Sequence, residues 1–325
     1  MRLMEGIEDI VKILKTKQTF VLTTHIHADG DALGSLLALG LALINNGKNA
    51  VMIHSEPVPE SYRFLPGAEQ VKMVQDLKES FEVGIALDCT NLSRAGDAAH
   101  ILQKADCVIN IDHHISNEYF GQINMVETEA AATGEMVCAL LVKGGFIITP
   151  DIATNLYTAI ITDTGSFRHQ NTTANCFRTC AYLLECGAAH NFIQHNLYEQ
   201  RSLQSLRFMV KVLQTLSINE NGMIAWMTIT RDIITEADNS DGLIDYAKSL
   251  KGVEVGILFK EMDSGEIKVS FRSKSFVDVN QLAAHFGGGG HERAAGCSIK
   301  GNLKEVEQLV IRKTEEYLAK RRAAE

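Results

Sequence analysis

Four short apolar runs in the first half of the chain alternate with segments of helix length. The runs are "TFVLTT" (19–24), "AVMIHS" (50–55), "VGIALD" (83–88) and "CVINID" (107–112). Between and after them, "DALGSLLALGLALINNG" (31–47), 94–104 and 131–143 read as helices. β-Branched runs alternating with helices predict an α/β fold, a parallel sheet with helices on both faces. In such sheets the ligand site lies beyond the carboxyl ends of the strands. Three of the runs end in acid or histidine. The first leads into "TTHIHADGDALGS" (23–35), which carries His25, His27, Asp29 and Asp31. The third ends at Asp88, and the fourth ends in Asp112, His113 and His114. A later helical segment, "NLYTAIITDTGSFR" (155–168), carries Asp163 to the same rim.

The second half differs. Residues 186–216 are polar and helical and read as linker helices. From 217 the chain is strand-rich, with "GMIAWMTIT", "VEVGILFKE" and "EIKVSFRS", then a glycine tract and a charged final helix over 303–321. The expected organisation is a catalytic domain over 1–185, the linker over 186–216, and a smaller mixed α/β domain over 217–325. Trp226 and the methionines are expected in the core.

Composition narrows the function. The net charge of −9 argues against a broad basic surface that coats long nucleic acid, though not against a small polyanion gripped locally. No apolar run reaches the roughly 18 to 20 residues that span a bilayer. The N-terminus carries acids and reads as an amphipathic helix, not a signal peptide. The seven cysteines form no C-x-x-C pair and read as free thiols of a reducing cytoplasm.

Histidine and aspartate without cysteine suit a catalytic metal centre better than a structural zinc knot. His25, His27, Asp29, Asp31, Asp88, Asp112, His113, His114 and Asp163 are too many for one ion. They suit two divalent ions roughly 3.5 to 4 Å apart with a shared carboxylate. Taken singly, each has a blander reading. Asp31, for example, fits the N-cap of the helix that follows it. Spacing alone does not choose between His25 and His27. The tract "GGGGH" (287–291) is either a linker or a nest of backbone N–H groups for an anion. Gly288, Gly289 and Gly290, with His291, Arg293 and the "RS" pair Arg272 and Ser273, compose the second reading, in which Arg272 is a bidentate phosphate donor.

The stretches "HIHADGDALGS", "ALDCTNLSR", "IDHH" and "ITDTGSFR" resemble, in type and order, the four motifs of the DHH phosphoesterases. "FRSKSFVDVNQLAAHFGGGGHERAAG" resembles the DHHA1 subdomain that follows them. Length and architecture are most similar to the bacterial nano-RNase/oligoribonuclease group with pAp phosphatase activity. The resemblance implies an active site in the cleft between the two domains and two metal ions, usually manganese. It implies His25, Asp29 and Asp88 at one ion and Asp31, Asp88, His113 and Asp163 at the other, with Asp88 bridging. It places His114 at the substrate phosphate and Asp112 behind it, orienting a histidine. Arg94 matches a family arginine, and "TGE" (133–135) is expected to shape the loops that hold the site. The DHHA1 residues are expected to grip the terminal nucleotide. His27 and Ala28 depart from the Asn-Pro often found there.

The expected reaction is hydrolysis of very short oligonucleotides such as pGpG or pApA, with pAp as a second substrate. No long duplex and no membrane is expected as a partner, and a homodimer is common among relatives. The alternatives are a manganese pyrophosphatase, an exonuclease of the RecJ type, a cyclic-dinucleotide phosphodiesterase and a non-catalytic nucleotide sensor.

Overall fold

The computed structural model describes residues 6–77, 80–234, 240 and 242–322. The chain divides into two compact units, Met1–Gln200 and Arg201–Glu325.

The first unit has strands β1 (Thr19–Thr23), β2 (Asn49–His54), β3 (Lys72–Met73), β4 (Val83–Leu87), β5 (Cys107–Asp112) and β6 (Ile123–Val126). Its helices are α1 (Ile7–Thr16), α2 (Gly30–Asn45), α3 (Ala99–Leu102), α4 (Thr133–Gly144), α5 (Pro150–Asp163), α6 (Ala174–Glu185) and α7 (His190–Tyr198). The strands form one parallel sheet in the order β3-β2-β1-β4-β5-β6. Side chains alternate across it, as the pleat requires. Phe20, Leu22, Ile85 and Leu87 pack with α2, α4 and α5, while Val21 and Ala86 pack with Ala95, Ile101 and Leu102 on the other face. Burial on both faces explains why the strands read as continuous apolar runs. The winding direction reverses between β1 and β4, so the carboxyl ends of these two strands flank the crevice where such sheets bind ligands.

Helix α2 is buried from Gly30 through Leu43. That requires close approach to α5, and Gly34 provides it: a Cβ there would lie 2.5 Å from the Asn155 carbonyl oxygen and 3.0 Å from the Ala159 Cβ. The helix expected over 94–104 is broken. Only Ala99–Leu102 is α-helical, and Leu92–Ala98 forms 3₁₀ turns. Gly96 takes φ 58°, and a Cβ there would lie 2.5 Å from Ile26 Cγ2, so close packing against the β1 loop overrides helix propensity.

The stretch 186–216 forms no unit of its own. Helix α7 packs on the first unit, with Phe192 edge-on to Phe64 and His190 edge-on to Tyr157. The next helix, α8 (Leu203–Leu213), buries Phe208 and Val212 in the second unit. That unit continues with β7 (Ser217–Ile218), β8 (Ile224–Ile229), α9 (Leu243–Ser249), β9 (Val255–Glu261), β10 (Glu266–Ser273), α10 (Val279–Ala284), β11 (Gly289–His291), β12 (Ala294–Lys300) and α11 (Leu303–Arg322). Its mixed sheet runs β11-β12-β10-β9-β8-β7, with only β8 and β9 parallel. Half of the residues of helix α11 are charged, yet it docks on the sheet through Val306, Val310, Thr314 and Leu318, one side chain per turn. Trp226 packs against the same core, half-buried. All seven cysteines are free thiols. Among the described residues, no helix is long and apolar enough to cross a membrane.

The α2–α5 contact has no spare volume. Gly34→Ala should therefore lower the unfolding free energy by about 1–3 kcal/mol, read as a shift in the urea midpoint with an unchanged m value.

Candidate metal centre

The chain leaves β1 and turns into α2 through His25 and Asp29. Asp29, not Asp31, is the N-cap of α2: its Oδ1 accepts from the Asp31 N–H at 3.1 Å and the Ala32 N–H at 3.0 Å. Asp31 is thereby available to another helix. Helix α4 has no capping side chain of its own. Its first N–H groups point at the Asp31 carboxylate instead, Thr133 N–H to Oδ2 at 2.7 Å and Gly134 N–H to Oδ1 at 2.8 Å. Two buried N–H groups at the helix start and the helix dipole hold this carboxylate.

Asp88 follows β4 directly. It takes a left-handed φ of 56°, and its N–H donates to the Ile111 carbonyl at 2.9 Å. Non-glycine residues persist in that region where their surroundings over-determine them, often at functional sites. The Thr133 hydroxyl donates to Asp88 Oδ1 at 3.0 Å. His25 Nε2 lies 3.4 Å from Asp88 Oδ2, while His113 Nε2 and His114 Nδ1 lie 3.7 Å and 3.5 Å from Oδ1. Three sets of donor atoms converge here: His25, Asp29 and Asp88; Asp31, His113 and Asp163; and Asp88, His113 and His114.

The imidazoles are oriented from behind. His113 Nδ1 faces the Ala130 carbonyl at 3.2 Å and His25 Nδ1 faces the Ile26 carbonyl at 2.8 Å. A carbonyl accepts, so His113 Nδ1 carries the proton and its Nε2 faces the carboxylates, whereas at His25 Nδ1 the Ile26 carbonyl and the donor Arg94 Nη2 make opposite demands. His113 Nε2 is 3.8 Å from both Asp31 Oδ2 and Asp163 Oδ2. Asp112, fully buried at the end of β5, accepts from His114 Nδ1 at 2.7 Å and from the His113 N–H at 2.9 Å. Asp163 closes α5, and Asn171 Nδ2 donates to its Oδ2 at 2.9 Å.

Electrostatics makes this a site for cations. Burial and the neighbouring Asp88 charge push the carboxyls of Asp29 and Asp31 up. Burial and the charges of Asp88 and Asp29 lift Asp163 to about 6, against the opposing pull of His113. Asp88 goes the other way: burial opposes its charge, but the His25 hydrogen bond and the charges of His114 and His113 hold it well below the usual carboxylate range. Carboxylates this close, with Asp31 and Asp88 buried and Asp29 and Asp163 reaching solvent, are relieved by positive charge between them. Oxygen donors from aspartate with neutral imidazole nitrogens fit divalent transition-metal ions.

His27 does not join these sets. Its side chain is 79% exposed, its φ is 57°, and it is clamped by Glu56, which accepts from its N–H at 2.6 Å and lies 3.0 Å from its Nδ1. Arg94 Nη2 sits 3.2 Å from His25 Nδ1, and its carbonyl accepts from the Ile26 N–H, so it braces the β1 loop.

In the second unit, Arg272 and Ser273 end β10, and Arg272 pairs with Ala294 of β12. The Ser273 hydroxyl and Arg293 Nη1 both donate to the Val277 carbonyl, at 2.6 Å and 2.9 Å. The glycine tract is neither a linker nor a free loop. Gly289, Gly290 and His291 form an exposed edge strand paired with β12. A Cβ at Gly290, where φ is 150°, would lie 2.5 Å from the Ala294 carbonyl oxygen, and one at Gly288 would overlap the Gly296 carbonyl. Strand pairing therefore demands glycine there.

Residue-by-residue reading did not find Asn117 and Asn171. Asn117 Nδ2 donates to Asp112 Oδ2 at 2.6 Å, and its only signal was a polar residue close behind "DHH". The Thr133 stretch was expected to shape loops; its hydroxyl and N–H reach two of the carboxylates themselves.

Burial opposes a charged His114, but the Asp112 hydrogen bond and the charges of Asp88, Asp112 and Asp163 outweigh it and raise its pKa from 6.5 to about 9. A raised histidine pKa contributes stability that is full below 6.5 and is lost as pH rises through 9. In the metal-free protein the His114 imidazole should titrate near 9 by NMR, and Asp112→Asn should move it toward 6.5. A wild-type titration near the ordinary value would contradict the hydrogen-bonded pair.

Residues 19–160 match the DHH family, N-terminal domain, and residues 219–320 match the DHHA1 domain. The bifunctional oligoribonuclease and PAP phosphatase NrnA of Thermus thermophilus is 34% identical, over 98% of this chain and 96% of that one. The protein of the same name from Bacillus subtilis is 28% identical over 90% and 92%. An exopolyphosphatase-related protein from Bacteroides fragilis has a crystal structure that superposes with a TM-score of 0.89 at 26% identity, covering 98% of each chain. With its two domain matches and a relative this similar over nearly its whole length, the chain belongs to the DHH family, as a DHH N-terminal domain followed by a DHHA1 domain.

Proposed function

We propose that this protein is a metal-dependent phosphoesterase that hydrolyses very short oligoribonucleotides to mononucleotides and removes the 3′-phosphate of pAp. The observation that carries the reading is the meeting of three Asp/His donor sets, two of them sharing Asp88, at the switch point of the sheet. The near full-length likeness to the NrnA proteins supports the choice of substrate.

His25, Asp29 and Asp88 would hold one ion, and Asp31, Asp88, His113 and Asp163 the other, with manganese favoured by the mixed oxygen and nitrogen donors. Bound there, divalent cations supply Lewis-acid activation of water and neutralise charge at phosphorus. The chain does the rest. The Ala130 carbonyl fixes the tautomer of His113, and Ile26 and Arg94 position the His25 ring. Asp112 keeps His114 protonated beside the donor sets, where it stabilises charge developing on the phosphoryl oxygens and can release a proton to the leaving sugar oxygen. Arg272, His291 and Arg293, beside the Gly288–Gly290 stretch whose bare backbone lets an anion approach closely, bind the substrate's other phosphate. Ser273 serves them by holding Val277, which anchors Arg293. A protein of net charge −9 with only these local cations suits a ligand of few phosphates. Seven unbridged thiols suit the cytoplasm.

The test is turnover of pGpG, pApA, pAp, pyrophosphate and a 24-mer with manganese present. The dinucleotides and pAp should lead; cleavage of pyrophosphate alone, or of nothing, refutes the reading. Asp88→Ala should lower kcat by at least about 100-fold with the fold retained, since ligand loss exceeds the cost of losing an outer-shell partner. Arg272→Ala should raise KM about 10-fold or more and leave manganese affinity unchanged, as expected for loss of a charge-assisted phosphate contact.

A further inference from the structure

The loop after His114 carries two exposed side chains that the metal chemistry does not use. Ile115 is 90% exposed and Tyr119 is 62% exposed. Both lie on a segment that is otherwise tied down. Asn117 is buried, and its N–H donates to the His114 carbonyl at 3.2 Å. Its Nδ2 bonds Asp112 Oδ2 at 2.6 Å, Asn110 Oδ1 at 2.8 Å and the Cys89 carbonyl at 3.1 Å. The Glu118 N–H donates to the Thr90 carbonyl at 2.8 Å, its side chain accepts from Asn91 Nδ2 at 3.2 Å, and Phe120 packs into the core beneath. Tyr119 itself is held with φ 53°, a backbone conformation disfavoured for a bulky side chain, and its N–H donates to Asn117 Oδ1 at 2.7 Å. Such conformers persist where the surroundings impose them, and they concentrate at ligand clamps.

We infer that Ile115 and Tyr119 form the platform on which a nucleobase next to the scissile phosphate stacks, an inference that rests on the nucleotide reading proposed above. Three observations select a base as the occupant. The platform begins one residue after His114, so it is continuous with the site. One side chain, Asn117, fixes both Tyr119 and Asp112, so the platform shares a rigid base with the group that orients His114. The patch is uncharged apart from the Tyr119 hydroxyl, and the bases are the flat, uncharged surfaces that a dinucleotide offers beside its phosphate. Stacking is indifferent to base identity because every base has a π-face.

The experiment compares wild type, Tyr119→Ala, Tyr119→Phe and Ile115→Ser with manganese, on pGpG and on two analogues that each lack one base. All three variants are surface changes at two exposed positions, and circular dichroism checks the fold. Tyr119→Ala should raise KM for pGpG about 5- to 100-fold, the range of base-stacking losses on alanine substitution, with kcat changed less than about 3-fold. Tyr119→Phe should restore KM, because stacking needs the ring and not the hydroxyl. On one of the two abasic analogues, wild type and Tyr119→Ala should share the same KM. Equal KM values for pGpG in wild type and Tyr119→Ala overturn the platform while the nucleotide reading stands. A changed sedimentation coefficient with unchanged KM assigns the patch to a subunit contact and also overturns it. Failure of wild type to bind or cleave pGpG refutes both.

Discussion

The site depends on one carboxylate. Asp88 stands at the switch between β1 and β4, turned inward by a left-handed backbone, and donors from three segments of chain converge on it: His25 from the loop after β1, His113 and His114 from the end of β5, and Thr133 from the start of α4. Its charge is favoured by these partners, and the same charge raises the cost of ionising Asp29, Asp31 and Asp163 around it. Gathering like charges is unfavourable unless positive charge sits among them, and divalent ions held here would relieve the repulsion the protein builds.

The fold supplies the means. A parallel sheet covered on both faces delivers its strand ends to one edge, and helices begin and end at that edge. Asp29 caps α2, Asp31 caps α4 from 102 residues away in sequence, and Asp163 closes α5. Acidic residues therefore do two kinds of work, satisfying helix N–H groups while turning remaining oxygens toward the site. This double use makes the geometry rigid, because neither Asp29 nor Asp31 can move without uncapping a helix.

Much of this was legible in the sequence because it is local. Apolar runs ending in acid or histidine marked the strands and their carboxyl ends, and every residue of the three donor sets was named on those grounds or by motif resemblance. What stayed hidden was non-local. Periodicity cannot tell that Asp31 caps a helix beginning at Thr133, nor that Gly96 is driven into a left-handed conformation by Ile26 and Ser55. Spacing left His25 and His27 equivalent; Asp88 and Arg94 hold His25 inward, and Glu56, 29 residues from His27, clamps His27 outward. The glycine tract looked like a linker or a nest because the strand that requires those glycines, β12, lies beyond it in the chain. Asn117 and Asn171 act on Asp112 and Asp163 through single hydrogen bonds that leave no pattern in composition.

The central claim is that Asp88 is shared by two cations. Electron paramagnetic resonance of the protein loaded with manganese tests it directly, because ions roughly 3.5 to 4 Å apart across a bridging carboxylate are magnetically coupled. The account predicts a coupled-pair spectrum for the wild-type protein and its replacement by an isolated-ion spectrum in Asp88→Asn. An isolated-ion spectrum from fully loaded wild-type protein, or a coupled pair that survives in Asp88→Asn, would contradict it.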